Sequence, residues 1–241
     1  MPTETSIKSK LDVIKDFYDT TYHKYSTPPR LISGHHRNLA ERLALRPRQK
    51  VLDVACGTGE WLLATQQRGV IVNGVDISDK AIDACREAMP DAEFVVAPAE
   101  ALPFPEQTFD IVTCLGALEH FVDAEAALAE MIRVGKPDAR FVILVPNSGF
   151  LTRRLGLFRG TNQAMVKEEV LSLEEWRDMF EKAGLVVNQC WADLHVLSQA
   201  WIMSGSWYQW PIRFVQALML LVWPLRWQYQ VFYLCGKKIR L

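Results

Sequence analysis

Excess charge of one sign is missing from this sequence: 27 Lys and Arg stand against 28 Asp and Glu, for a formal charge of −1. So balanced a chain exerts no long-range pull on a polynucleotide, and no nucleic-acid partner is expected. Cysteine is scarce. Cys56, Cys85, Cys114, Cys190 and Cys235 are odd in number, scattered and without CxxC spacing, which argues against a disulfide framework and a zinc site. They read as small half-buried thiols in a reducing cytosol, and no metal is expected. The first ten residues are polar and no apolar signal-peptide core follows, so the expected location is cytoplasmic. Internal repeats and low-complexity tracts are absent as well.

What is there is 241 residues, 49% hydrophobic and 23% charged, enough for a folded domain with a substantial core. Up to about Pro47 the chain reads as two helices and a turn. Ile7, Leu11, Ile14, Phe17 and Tyr18 recur at helical spacing, Thr27-Pro28-Pro29 breaks the pattern, and a second helix fits Leu31–Leu45. A regular alternation follows. Val51–Ala55, Val70–Val75, Phe94–Ala97, Phe109–Cys114 and Arg140–Val145 are short apolar runs with helical stretches between them, one capped near Ser78 or Asp79. Such runs predict an α/β fold whose parallel sheet is buried on both faces. Leu173–Ala183 reads as a helix stopped by Gly184, with Leu185–Val187 starting a sixth strand and Gln228–Cys235 a last one. The expected organisation is a helical cap at 1–47, a core at 48–195 and 227–241, and a hydrophobic aromatic insertion at 196–226 within the same domain.

The chemistry concentrates in Val51-Leu52-Asp53-Val54-Ala55-Cys56-Gly57-Thr58-Gly59-Glu60. A strand runs through a two-glycine turn into a helix N-terminus, where bare backbone and free amides approach a ligand. Asp53, at the strand end before the glycines, suits a cationic or amino-bearing ligand and would repel a pyrophosphate. The third glycine of a dinucleotide fingerprint is missing, since Trp61 and Leu62 occupy its region. Asp76 closes the next strand seventeen positions after Gly59, where an acid can accept both hydroxyls of a ribose.

The blocks VLDVACGTG, VNGVDIS, AEALPFPEQTFDIVTCLGALEHF and RVGKPDARFVILVPN resemble those of the class I methyltransferases, in particular the small-molecule enzymes called type 11. The resemblance covers roughly Gln49 to Asn147, and more loosely the chain to Lys238. It implies a Rossmann-like sheet of seven strands, mostly parallel with the last antiparallel, helices on both faces, and a helical cap over the cofactor mouth. It also implies S-adenosylmethionine as cofactor: Ala55, Cys56, Gly57, Thr58 and Gly59 around its methionine part with Asp53, the Asp76 carboxylate on the ribose, and Ile77, Ala99, Glu100 and Leu115 about the adenine and the transferring methyl. Two blocks depart from the family pattern. Ala97-Pro98-Ala99-Glu100 replaces the usual Gly-Asp-Ala-Glu, so one adenine contact is lost while the Ala99 N–H remains available. Gly135-Lys136-Pro137-Asp138-Ala139 stands where Leu-Lys-Pro-Gly-Gly is usual, in a turn expected to lie far from the chemistry.

The acceptor side is less determined. His120, after the fourth strand, is the candidate base for an acceptor that must lose a proton, and equally a residue that orders its loop. Glu119 beside it, with Tyr18 and Tyr22 of the cap, would meet a small-molecule acceptor. Tyr25 is a further lid candidate, and ordinary helix packing accounts for these tyrosines as well. His23, His35 and His36 read as surface residues. The apolar run Phe214–Trp223 is too short to span a membrane and stops at Pro224. It fits a helix closing the pocket, which is the default, an interfacial helix making peripheral membrane contact through 210–226, or the surface of a homodimer. Its tryptophans, with Trp201, favour a hydrophobic or aromatic acceptor methylated at O or C. Two competitors stand beside this reading: a nicotinamide-dependent oxidoreductase, disfavoured by Asp53 and the missing glycine, and a non-catalytic cofactor-binding or scaffold protein.

Overall fold

Short Val/Ile/Phe runs become seven strands: β1 (Lys50–Val54), β2 (Ile71–Asp76), β3 (Glu93–Val96), β4 (Phe109–Leu115), β5 (Gly135–Pro146), β6 (Leu185–Ala192) and β7 (Gln230–Lys237). The computed structural model describes residues 4–24, 27–29, 32–154, 156, 169–195, 203 and 207–238. The strands form one sheet in the order β3-β2-β1-β4-β5-β7-β6. Neighbours from β3 to β5 are parallel, and β7 runs antiparallel between β5 and β6. Helices α1 (Glu4–Phe17), α2 (Gly34–Arg42), α3 (Glu60–Gln66), α4 (Asp79–Ala88), α5 (Ala124–Val134), α6 (Leu151–Arg154), α7 (Leu173–Ala183) and α8 (Trp210–Val222) complete the described elements.

Strand periodicity of two divides the core between the faces. On β5, Phe141, Ile143 and Val145 join one apolar cluster with Trp176 and Phe180 of α7. The alternate residues Val142 and Leu144 join another with Trp61, Leu62 and Ile82 of α3 and α4. Polar anchors fix the helices: the Trp176 indole N–H donates to the Pro146 carbonyl at 2.7 Å, and the Tyr233 hydroxyl donates to Leu173 O at 3.0 Å. Helix α7 begins at a Ser172–Glu175 capping box and ends at Gly184 with φ 100°, the stop read from the sequence. The chain leaves β1 for β2 on one side and later places β4 on the other. The crevice between these connections opens at the strands' carboxyl ends, where α/β sheets bind ligands.

Several boundaries differ from the sequence reading: most strands by one or two residues, the last lying at Gln230–Lys237 and not Gln228–Cys235, and three further places with a local cause. Tyr18–Tyr22 is a π-helical turn following α1, so the expected helix through Tyr18 ends at Phe17. The second helix is shorter than Leu31–Leu45, because the Ser33 side chain accepts from His36 N–H and starts it at Gly34. The turn expected at Gly135–Ala139 is a bulge inside β5: Phe109 pairs with Gly135, and Ile111 already pairs with Arg140.

Gly74, mid-strand in β2, is fixed by packing. A Cβ there would lie 2.8 Å from both Cys56 Sγ and Phe94 Cδ1. Gly74→Ala is expected to destabilise the fold by about 1–3 kcal/mol through overpacking, measured by urea unfolding. A loss below ~0.5 kcal/mol would show that the turn after β1 gives way freely.

Candidate active site

Three residues with positive φ within five positions shape the turn after β1: Ala55 at 60°, Gly57 at 51° and Gly59 at 83°. Alanine at such an angle is strained. It persists because the backbone around it is tied down: Cys56 N–H donates to Val75 O at 3.0 Å, Gly57 N–H to Asp76 Oδ2 at 2.8 Å, and Gly59 N–H to Cys56 O at 3.0 Å. Gly59 caps α3 and faces α4, where a Cβ would meet Cys85 Sγ and Met89 Cε at 2.9 Å. It lies outside the cavity lining, whereas Ala55, Cys56, Gly57 and Thr58 line it.

Asp76 is buried at the end of β2. One carboxylate oxygen accepts from Gly57 N–H and the other from Ser78 N–H at 2.9 Å, and the Ile77 N–H acts on the same carboxylate. Burial raises its pKa, and the backbone N–H bonds oppose that shift. Asp53, 3% exposed at the end of β1, accepts from the Thr113 hydroxyl at 2.6 Å. That hydroxyl in turn accepts from the Trp61 indole N–H at 3.1 Å. Burial pushes the Asp53 carboxyl up to about 7, with Thr113 opposing and the nearby Asp76 adding to it.

Both acids open into a cavity of about 450 Å³, within the usual size of small-molecule sites. Ile77, Ala97, Pro98 and Ala99 form a largely apolar wall beside Asp76, and Leu115, Gly116 and Ala117 line the end of β4. His120 also lines the cavity, in the 3-10 turn Leu118–His120. Glu119 is buried outside the lining, with a carboxylate oxygen 4.0 Å from His120 Nε2. Glu100 lines the cavity while accepting from the N–H groups of Val122 (3.1 Å) and Asp123 (3.2 Å), so it fixes the loop in front.

The N-terminal elements close the mouth. Leu11, Ile14, Tyr18, Tyr22 and His23 face the cavity, with the two tyrosine rings edge-on at 5.6 Å. Lys15 Nζ donates to Ile77 O at 3.1 Å and pairs with Asp79 at 2.7 Å, and the Ser78 hydroxyl donates to Asp19 at 2.6 Å. Burial, then the Asp76 charge, pushes Tyr18 up to about 12. His23, read from sequence as a surface residue, is buried here, and desolvation lowers its pKa against the attraction of Asp76. His36 lines the cavity too, and burial brings it down to about 4. The polar Thr113 inside an apolar strand was the one available signal among these residues; nothing in the spacing of His23 or His36 marks them. Tyr25 and Trp201 lie outside the described residues. No described residue of 207–227 lines the cavity. The helix there is tied through Gln228 to the start of β7, and Asn147 at the end of β5 bonds the chain between them. Among the described residues no cluster of His, Cys, Asp and Glu could hold a metal ion.

The raised Asp53 has a consequence for stability. Its folded pKa of about 7 lies above the ordinary 3.8, so between these values the folded state holds a proton that the unfolded chain has released. Stability therefore falls as pH rises across that window, and the full cost is present above 7. Asp53→Asn, which keeps an acceptor for Thr113, should stabilise the ligand-free protein at pH 8 by on the order of 3 kcal/mol and far less at pH 5. Urea unfolding at the two pH values measures this; an equal difference at both would refute it.

Comparison with known proteins bears on this geometry. The model of a family described as a methyltransferase domain matches residues 52–143, the segment that carries Asp53, the glycine turn, Asp76 and His120. The chain is 32% identical over 172 residues to the uncharacterized methyltransferase YcgJ of Bacillus subtilis, covering 67% of each. It is also 32% identical over 167 residues to the ubiquinone/menaquinone biosynthesis C-methyltransferase UbiE of Geobacter sulfurreducens, covering 64% of each. It thus spans about two thirds of the length of both relatives. In fold it is similar to a putative methyltransferase from Haloferax volcanii, solved in complex with the Trm112 activator, with TM-score 0.66, 20% identity and 99% and 100% of the two chains covered. The chain belongs to the class I S-adenosylmethionine-dependent methyltransferases, with S-adenosylmethionine as its cofactor.

Proposed function

We propose that the protein methylates a hydrophobic or aromatic small molecule at carbon or oxygen. The supporting observation is a single cavity with a mixed lining: Asp53, Asp76 and the Ala55–Thr58 turn contribute polar groups, and Leu11, Ile14, Tyr18, Tyr22, Phe121 and Val122 contribute apolar and aromatic surface. Similarity to the C-methyltransferase of Geobacter sulfurreducens favours carbon as the acceptor atom. A hydrophobic acceptor partitions into lipid, so the same reading extends to contact with a membrane surface.

The residues fit the cofactor. Asp53 lies beside the bare backbone of the turn, where its ionised form would neutralise an ammonium group. The Asp76 carboxylate lines the cavity as an acceptor-only group suited to the hydroxyls of a ribose. Ile77 and Ala99 offer apolar surface to a base ring, and Leu115 bounds the space toward the acceptor. Bound there, S-adenosylmethionine supplies an electrophilic methyl on a sulfonium. The chain's own work is then alignment of the acceptor against that face, which can account for much of the rate. His120 is positioned to take the proton an acceptor hydroxyl or ring carbon must lose, with the Glu119 carboxylate beside the ring to favour the charge it acquires. The helices of 1–47 act as a cap whose half-buried apolar stripe, Leu11 and Ile14, covers the acceptor.

Two experiments test this. By calorimetry the protein should bind S-adenosylmethionine and not NADH, and Asp76→Ala should weaken binding about 10- to 100-fold, as two charge-assisted hydrogen bonds are lost. Preference for NADH would end the reading. With a panel of acceptors, apolar quinols and phenols should be methylated and highly charged polar ones should not. His120→Ala should lower turnover about 10²–10⁴-fold with cofactor affinity unchanged. Full turnover in that variant would leave His120 a loop-ordering residue, and absence of product with every acceptor would favour a non-catalytic binder.

A further inference from the structure

Helix α8 differs from an ordinary surface helix on its outer side. A helix packed on a protein turns its apolar stripe inward and polar residues outward. Among the described side chains of α8, the less exposed are Trp210, Arg213, Ala217 and Leu220, of which only Ala217 is buried. The outward side chains are Phe214 (53% exposed), Val215, Leu218, Met219, Leu221 and Val222 (81%), and the preceding turn adds Trp207 at 76%.

The helix is also firmly aimed. The buried Gln228 side chain donates to Leu220 O at 2.7 Å and Trp223 O at 3.2 Å, satisfying carbonyls that a helix end leaves open. The buried Asn147, at the end of β5, donates to Arg226 O and Gln228 O, both at 3.0 Å. These bonds fix α8 to the same carboxyl edge of the sheet on which the cavity opens. Charge in the two chain stretches that meet here is one-sided. The sequence has no Asp or Glu from 139 to 167 or from 194 to 241. The first stretch supplies exposed Arg153 and Arg154, and the second supplies exposed Arg226 just after α8. Phe150, which precedes the arginine pair, packs edge-on against Tyr229, so both stretches meet at one place. With 13 residues, α8 is about 20 Å long, short of the ~30 Å hydrocarbon layer. No described helix is long and apolar enough to cross a membrane.

We propose that α8 docks this edge on an anionic bilayer, lying in the interface with its apolar side among the acyl chains, Trp207 and Tyr208 at headgroup depth and the arginines on lipid phosphates. This deepens the reading above, and rests on it only for what the membrane would deliver: an apolar acceptor released beside the cavity mouth. Docking itself needs neither cofactor nor acceptor.

The test is co-sedimentation of the full chain with vesicles of phosphatidylglycerol and phosphatidylcholine, against phosphatidylcholine alone. Partitioning onto the anionic vesicles should exceed that onto neutral ones at least tenfold and decline in 0.5 M salt. Leu218→Glu/Val222→Glu, at exposed positions, should reduce it at least tenfold, and Arg153→Glu/Arg154→Glu should reduce it on anionic vesicles alone, with S-adenosylmethionine affinity unchanged in both. No partitioning, or equal partitioning of wild type and the α8 variant, overturns the proposal. So does a dimer in analytical ultracentrifugation that the α8 variant dissociates, without vesicle binding, since the apolar side would then belong to a second copy. Loss of cofactor binding in wild type with vesicle binding intact would sink the methyltransferase reading and leave the docking surface standing.

Discussion

The Asp76 carboxylate is the joint on which the site depends. One oxygen holds the Gly57 N–H of the turn after β1, and the other holds the Ser78 N–H at the start of α4. Two connections at neighbouring strand ends are thereby fixed by one side chain. The arrangement is costly in the free protein, because burial raises both Asp76 and Asp53, and the Asp76 charge raises Asp53 further. A ligand that brings an ammonium and two hydroxyl donors relieves both costs. The site is therefore selective for charge as well as shape: a pyrophosphate would meet two buried carboxylates instead of counter-charge.

The core and the cofactor side were legible in the sequence because they follow short-range rules. Strand length, the Gly57 and Gly59 turn, the Gly184 stop and the acid at the end of β2 are each dictated by backbone geometry within a few residues. The glycines even separate into two roles once contacts are known: Gly57 borders the cavity, while Gly59 is needed because α4 presses on it. What sequence could not supply was long-range. His23 and His36 enter the cavity only because the cap folds over strand ends that are distant in the chain. The bulge in β5 comes from its register with β4, which no local pattern in Gly135–Ala139 encodes.

Helices α1 and α8 are attached in different ways. Of the α1 side chains described, residues 10–17, none is buried, and the ion pair Lys15–Asp79 has partners 33% and 59% exposed. A pair so exposed contributes roughly 0–1 kcal/mol. The Lys15–Ile77 and Ser78–Asp19 bonds add contributions of similar size each. The second helix of the same segment is anchored more firmly, with Leu39, Ala40 and Leu43 buried in the core beside Trp61 and Leu62. Helix α8 is held through Asn147 and Gln228, both buried, so lifting it would leave carbonyls and amides without partners in the interior.

The cavity is lined by two different parts of the chain. The polar end of the cavity is built from strand ends and their turns, where a shift of 1 Å would break the Asp76 bonds, so it has little freedom to vary. Leu11, Ile14, Tyr18 and Phe121, which also line it, come from elements outside the sheet, whose side chains can change without disturbing β1, β2 or β4. That separation is why the motif identifies the methyl donor and is silent on the acceptor: the two are read by parts of the chain under different physical constraints.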